Sequence, residues 1–358
     1  MSETHKNILF MIPSLYGGGA EKVCCILASA LAERHHVTVG YLIEKDEEYP
    51  LHPDCERVLL PWGSCRRWNI PGRLLKWCRN IRGIRKIKKE RSIDVTVSFL
   101  MALNLFNVLS RYHDRVITSE RANPKKYLPE KFWITRFSYA HSDHVVFQSE
   151  LVRHYYSGRI LRHSSVIPNP VSVRCKAAAE RKHRIVAMGR LTEQKNHRML
   201  IQSFAEFRRS YPDYTLSIYG EGDLQEELQA LISELDLQGS VILEGNHPDV
   251  HERIRDAEIF VLSSNFEGLS NALLECMTMG IACISTRCEG STDVIRDGEN
   301  GLLTEIGNGQ ELTEAMLRLA GDPAFRRSLE AQALKDAENF TIDRVTRRWE
   351  AVLLDKQD

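Results

Sequence analysis

Two stretches in the second half of the chain set charged side chains where a small anionic ligand would meet them. Gly189-Arg190-Leu191 closes an apolar run that reads as a strand, and Lys195 follows just before Asn196, a residue suited to cap a helix. Cations at the carboxyl end of a strand beside a helix N-terminus add their charge to the helix dipole, a combination that favours a diphosphate. Taken alone, the same pair also reads as two solvated loop cations. Further on, residues 263–270 (Ser-Ser-Asn-Phe-Glu-Gly-Leu-Ser) lead from a strand into a helix capped by Ser270. Glu267 then lies in the loop and Glu275 about a turn and a half into the helix. The two carboxylates can address opposite ends of one bound molecule, with the amides of Gly268, Leu269 and Ser270 facing an anion between them. Glu275 also reads as a surface residue, but Ala272, Leu273, Leu274 and Met277 make that helix largely apolar, and a carboxylate there needs a partner.

Glycine-rich turns accompany these residues. Gly220-Glu221-Gly222-Asp223 follows a strand in the same half, and Gly17-Gly18-Gly19 follows the first strand of the chain, where backbone amides and a helix N-terminus can cradle an anion. The Gly-x-Gly-x-x-Gly fingerprint is missing at the first turn, so no nicotinamide site is expected.

The elements that position these turns are short β-branched or apolar runs alternating with helical-period segments, the pattern of α/β units on parallel sheets. Strands are expected at 7–12, 37–43, 95–99, 116–119, 145–148 and 165–167, then at 184–188, 215–219, 241–244, 259–263 and 281–285. Ile167-Pro168-Asn169-Pro170 and the charged stretch after it divide the two series. The expected organisation is an N-terminal domain over 1–172, a linker at 173–183, a C-terminal domain over 184–339, and a terminal helix within 340–358 packing back on the first domain. Two doubly wound domains joined in this way are expected to face one another across a cleft.

A chain of 358 residues fits two cores. No apolar run is long enough for a membrane span or a signal sequence, and nine cysteines without paired Cys-x-x-Cys motifs suit a reducing cytoplasm better than a disulfide framework. The zero net charge conceals an asymmetry: residues 1–182 carry 30 Lys+Arg against 17 Asp+Glu, and residues 183–358 carry 18 against 31. A basic half implies an anionic partner. Residues 66–91 hold eleven of these cations and a single acid, Glu90, interleaved with apolar residues at three- to four-residue intervals. This predicts a basic amphipathic helix lying on an anionic membrane surface through Trp68, Leu74, Trp77, Arg79, Ile81, Arg82, Ile84, Arg85 and Lys88. The competing reading is a helix packed on the first sheet with a solvated basic face. Nucleic acid is not expected, because no recognised binding motif accompanies the charge.

Together, the N-terminal glycine turn, Gly189-Arg190-Leu191 with Lys195, Gly220-Glu221-Gly222-Asp223, Glu267-Gly268-Leu269-Ser270 with Glu275, and the stretch from Gly290 to Leu302 resemble the retaining GT-B glycosyltransferases of family four over nearly the whole chain. The resemblance implies a GT-B fold of two Rossmann-like domains and a nucleotide-sugar donor of the UDP type. It assigns Arg190 and Lys195 to the donor diphosphate, Glu275 to the ribose and Glu267 to the transferred sugar. Gly18, Gly19, Gly220, Glu221, His247, Gly268, Leu269 and Ser270 complete the donor set. Gly17, Glu120 and Arg121 fall on the acceptor side, with Arg121 standing where relatives often carry a histidine. No Asp-x-Asp occurs in the chain, so neither metal nor other cofactor is expected. Within the family the chain is most similar to bacterial enzymes that extend polyprenyl-diphosphate-linked glycans, N-acetylgalactosamine transferases among them. A cytoplasmic protein at the inner face of the membrane is the implied setting. The rival expectations are a nucleotide-sugar epimerase of the same architecture and an inactive sugar-nucleotide-binding scaffold.

Overall fold

The computed structural model describes residues 5–45, 48–61, 70–121, 129–173 and 175–355. The chain forms two compact units, the first made of Met1–Pro170 with Ile342–Asp358 and the second of Val171–Thr341.

Unit 1 runs through β1 (Asn7–Met11), α1 (Gly19–Ala32), β2 (His36–Tyr41), β3 (Glu56–Leu59), α2 (Ile70–Glu90), β4 (Val95–Phe99), α3 (Met101–Leu109) and β5 (Arg115–Glu120). It continues with α4 (Pro129–His141), β6 (His144–Phe147), the single turns α5 (Glu150–Arg153) and α6 (Arg159–Arg162), and β7 (Ser164–Val166). All strand pairs are parallel, in the order β3-β2-β1-β4-β5-β6-β7. A central parallel strand is covered on both faces, which is why β1 is apolar at consecutive positions. Ile8 and Phe10 pack with α1 on one face, while Leu9 and Met11 meet α2 and α3 on the other.

Unit 2 contains β8 (Lys182–Met188), α7 (His197–Arg208), β9 (Thr215–Tyr219), α8 (Gln225–Glu234), β10 (Val241–Gly245), α9 (Val250–Ile254) and β11 (Ala257–Leu262). Then come α10 (Asn271–Met279), β12 (Ala282–Thr286), α11 (Glu289–Thr292), β13 (Leu302–Thr304), α12 (Gly309–Gly321) and α13 (Pro323–Ala337). Its parallel sheet has the order β10-β9-β8-β11-β12-β13. The last helix, α14 (Ile342–Leu353), belongs to unit 1, where Val345, Trp349 and Leu353 are buried beside α1.

All eleven expected strands are present, with ends shifted by at most two residues; β3 and β13 were not expected. Glu56-Arg57-Val58-Leu59 lacks an apolar run because β3 is an edge strand, and β13 is only three residues long. The stretch 173–183, expected as a linker, is bonded along unit 2. Ala177 and Ala178 donate to Met279 and Arg255, the Arg181 guanidinium donates to the carbonyls of Ala257 and Gly280, and β8 already begins at Lys182.

The segment expected as an interfacial helix over 66–91 contains α2, Ile70–Glu90, which corrects a larger expectation. Its apolar stripe faces the sheet: Ile84 is buried, and Ile81 and Ile87 pack with Leu9, Met11, Leu103 and Phe106. Lys88 is also inside, its Nζ 2.8 Å from Asp114 Oδ2 and 2.8 Å from Asn107 Oδ1. Burial lowers the Lys88 pKa to about 8, against the pull of Asp114. Ile81, Ile84 and Lys88 are therefore core residues rather than membrane contacts, because the sheet beneath them needs an apolar cover. Arg79, Arg82 and Arg85 are exposed, and Trp77 is half-exposed against the Phe106 ring. Trp68 and the Leu74 side chain lie outside the described residues.

Candidate functional site

The charged residues of unit 2 stand at the carboxyl ends of neighbouring strands β9, β8, β11 and β12, on turns that interlock. Gly189 N donates to Tyr219 O and Leu191 N to Glu221 O, drawing the β8–α7 turn against the β9–α8 turn. At Gly220, with φ at 140°, a Cβ would stand 2.1 Å from Gly189 O, so a glycine is required there.

The β8–α7 turn is also bonded to the loop after β11. Asn265 N donates to Gln194 O, Ser263 Oγ to Lys195 O, Gln194 Nε2 to Phe266 O, and Asn196 Nδ2 to Asn265 Oδ1. Asn196 also caps α7, accepting from Met199 N. These bonds bring Lys195 and Glu267 together: Nζ is 2.6 Å from Oε1, and Ser264 Oγ donates to the same oxygen at 2.8 Å. Both side chains are largely buried, which strengthens a charge-assisted bond but leaves little room for loss of either partner. Arg190 is exposed, and among the described residues its guanidinium makes no ion pair.

Ser270 caps α10 by accepting from Leu273 N, so its hydroxyl is committed to the helix. The Leu269 side chain is in the core with Leu274 and Phe340. The start of α11 crosses this loop so closely that a Cβ on Gly290 would stand 1.3 Å from Gly268 O. Glu275 is buried, and His251 Nε2 on α9 lies 3.1 Å from its Oε2. His251 was missed from sequence because its pairing depends on the packing of α9 against α10. His247 Nε2 is 2.9 Å from Glu244 O, beside the Tyr219 ring, and Glu221 is exposed. His197, in the first turn of α7, is buried; burial and then the Lys195 charge lower its pKa to about 4, which keeps the ring neutral.

In unit 1, Gly17 has φ +87° with open space where a Cβ would project, Gly18 occupies the N-cap of α1, and Gly19 begins it. Glu21, two residues into α1, turns back over these glycines. Its Oε2 lies 2.0 Å from where a Gly18 Cβ would be, and burial raises its pKa, so a carboxylate already sits across the anion cradle. Glu120 is buried at the end of β5, whereas Arg121 beside it is partly exposed. The Glu120 carboxylate is buried and accepts from Tyr139 Oη at 2.8 Å and Tyr156 Oη at 3.2 Å. The Arg121 guanidinium lies over the Phe99 and Trp349 rings and donates to Asn169, and burial lowers its pKa to about 10. Among the described residues no group of three or more His, Cys, Asp or Glu is arranged to hold a metal ion.

Family profiles match both halves of the chain: Glycosyltransferase Family 4 over residues 17–174 and Glycosyl transferases group 1 over residues 173–336. A Campylobacter jejuni GalNAc-alpha-(1->4)-GalNAc-alpha-(1->3)-diNAcBac-PP-undecaprenol alpha-1,4-N-acetyl-D-galactosaminyltransferase is 25% identical, over 96% of this chain and 97% of its own. A second protein of that organism, an N-acetylgalactosamine-N,N'-diacetylbacillosaminyl-diphospho-undecaprenol 4-alpha-N-acetylgalactosaminyltransferase, is 26% identical over 94% and 96%. Among solved structures, Anabaena HepE in complex with UDP and glucose shares the fold, with a TM-score of 0.80, 16% identity and coverage of 98% of this chain and 100% of its own.

Proposed function

Because the chain belongs to the GT-B glycosyltransferases of the group 1 and Family 4 kind, we propose that it transfers a hexose or N-acetylhexosamine from a UDP-sugar to a polyprenyl-diphosphate-linked glycan, with retention and without a metal. The observation that carries this reading is the Lys195–Glu267 pair, a cation and a carboxylate fixed together at the carboxyl edge of the unit 2 sheet. The lipid-linked acceptor is taken from the two Campylobacter relatives, and the UDP donor from the nucleotide bound in HepE.

In this mechanism Lys195, Arg190 and the amides at Gly268 and Leu269 hold the donor diphosphate. Glu267 orients the sugar hydroxyls and Glu275, steadied by His251, takes the ribose. The bond from the anomeric carbon to the diphosphate oxygen breaks as the acceptor hydroxyl attacks from the same face, and the hydroxyl proton passes to the departing diphosphate. The protein contributes positioning and stabilisation of leaving-group charge. The chain lacks Asp-x-Asp, so the cationic side chains and helix amides take the part of a metal clamp.

The membrane contact of this reading moves from the buried stripe of α2 to the outer surface of unit 1. There α2 exposes Arg79, Arg82, Arg85 and Lys89, and α4 exposes Trp133 and Phe137 one turn apart, with Leu109 exposed on α3. Basic residues with exposed aromatics suit an anionic interface. No helix among the described residues is long and apolar enough to cross a membrane.

The test is transfer of labelled sugar from a panel of UDP- and GDP-sugars to polyprenyl-diphosphate-linked glycans, with and without excess EDTA. A retained anomeric linkage made from a UDP-sugar in EDTA is expected. Loss of transfer in EDTA that magnesium or manganese restores would refute metal independence. A panel that yields only epimerised donor would refute transfer itself.

A further inference from the structure

A cavity of about 440 Å³ opens in unit 1 at the amino ends of β5 and β6, the opposite edge of that sheet from the glycine turn. Its walls are basic: Arg115, Arg162 and Arg348 with His144 and His163, against Asp143 and Asp355. Asp143 is already committed, its two oxygens accepting from Arg111 Nη1 and Val116 N. Asp355, a largely exposed residue just beyond α14, reaches Arg115 at 2.6 Å. Arg115 Nε is enclosed without a partner, and Arg162 is exposed with no ion pair among the described residues. An enclosed donor left unmatched destabilises the fold, and like charges around one cavity repel. Both penalties fall if the cavity takes an anion. The positive potential also registers on the lining, since burial, then Arg115 and His163, hold the His144 pKa down at about 4.

We propose that this cavity is a second anion site, which binds a compact diphosphate-type group by displacing Asp355 from Arg115. Its volume is within the range of small-molecule sites, roughly 300–1,000 Å³, and Arg115, Arg162 and Arg348 supply guanidinium forks suited to phosphoryl oxygens. Occupancy frees Asp355, which follows α14, the helix that carries Trp349 against Phe99 and Arg121.

The experiment uses the full chain and inorganic pyrophosphate in calorimetric titrations, with ring signals of carbon-13-labelled histidines followed at pH 7. Lys195→Ala removes a cation of the proposed donor site, so binding that survives in it and responds to Arg162→Glu reports the cavity. Saturable binding by Lys195→Ala, with movement of the His144 and His163 signals, is expected. Arg162→Glu should weaken that binding tenfold or more; Arg162 is exposed, so this variant keeps the fold. In the Lys195→Ala chain, Arg115→Gln with Asp355→Asn tests the displaced pair, and the resulting variant should bind without the Asp355 competition but more weakly than Lys195→Ala alone. Vesicles carrying diacylglycerol pyrophosphate distinguish the source: competition by them marks a lipid headgroup as the occupant, and its absence marks a soluble anion, either result being consistent with an anion site. Unmoved histidine signals, or equal affinity in Lys195→Ala with and without Arg162→Glu, overturn the proposal. Loss of all activity in Lys195→Ala bears on the donor reading alone.

Discussion

Replacing Lys195 by methionine keeps the length of the side chain and removes its charge from a contact of 2.6 Å with Glu267. The two side chains are 14% and 10% exposed, so Glu267 would be left largely desolvated with the Ser264 hydroxyl as its bond. Breaking a buried pair on one side costs about 3–5 kcal/mol, and the residual solvent access here argues for the lower end, about 3. Glu267→Gln in the same chain removes the stranded charge, so the double variant should regain about 2 kcal/mol. Turnover should behave differently. Lys195→Met should lose about 10²- to 10³-fold, as expected for one preorganised cation facing a developing charge, and the double variant should not recover it. All five tryptophans of the chain fall outside unit 2, so its stability is best read from hydrogen exchange of the β8 and β11 amides, beside release of UDP. Wild-type protection together with turnover within about threefold of wild type would refute the reasoning.

Gly290→Ala cannot be accommodated without moving the loop that carries Glu267, because its Cβ would stand 1.3 Å from Gly268 O; donor affinity should fall at least tenfold in a titration with the nucleotide sugar, and wild-type affinity would argue against a rigid loop. His197 is neutral in the folded state and takes up a proton only near pH 4, whereas in the unfolded chain it does so near 6.5. The unfolded state therefore binds more protons between those values, and stability should decline as pH falls through 6.5 towards 4, by up to about 3 kcal/mol from this group. His197→Gln should flatten that decline in denaturant titrations at pH 7 and pH 5. Trp133→Ser with Phe137→Ser should weaken sedimentation with vesicles of anionic phospholipid even at low salt while sparing transfer to a water-soluble acceptor; unchanged sedimentation would place the membrane contact elsewhere.

Most of this architecture is legible in the sequence, because a parallel sheet covered on both faces writes itself as consecutive apolar runs and its ligand-facing turns as glycines and caps. Asn196 and Ser270 mark the starts of α7 and α10 in the sequence, and both accept the expected amide hydrogens. The pairings of charged residues were not legible. Lys195 meets Glu267 across 72 residues only because β8 and β11 are sheet neighbours, and His251 reaches Glu275 only once α9 packs near α10. The two tyrosines that hold the Glu120 carboxylate, and the stacking of Arg121 near Trp349 of the returning α14, are likewise contacts that only the packed chain supplies. The helix at 70–90 shows the limit most directly. Its periodicity states that one stripe must be covered, but a sheet and a bilayer satisfy the same apolar spacing. What chose between them is the apolar face formed by Leu9 and Met11 of the sheet with Leu103 and Phe106 of α3, which Ile84 covers, and the Asp114 carboxylate, which draws Lys88 inside.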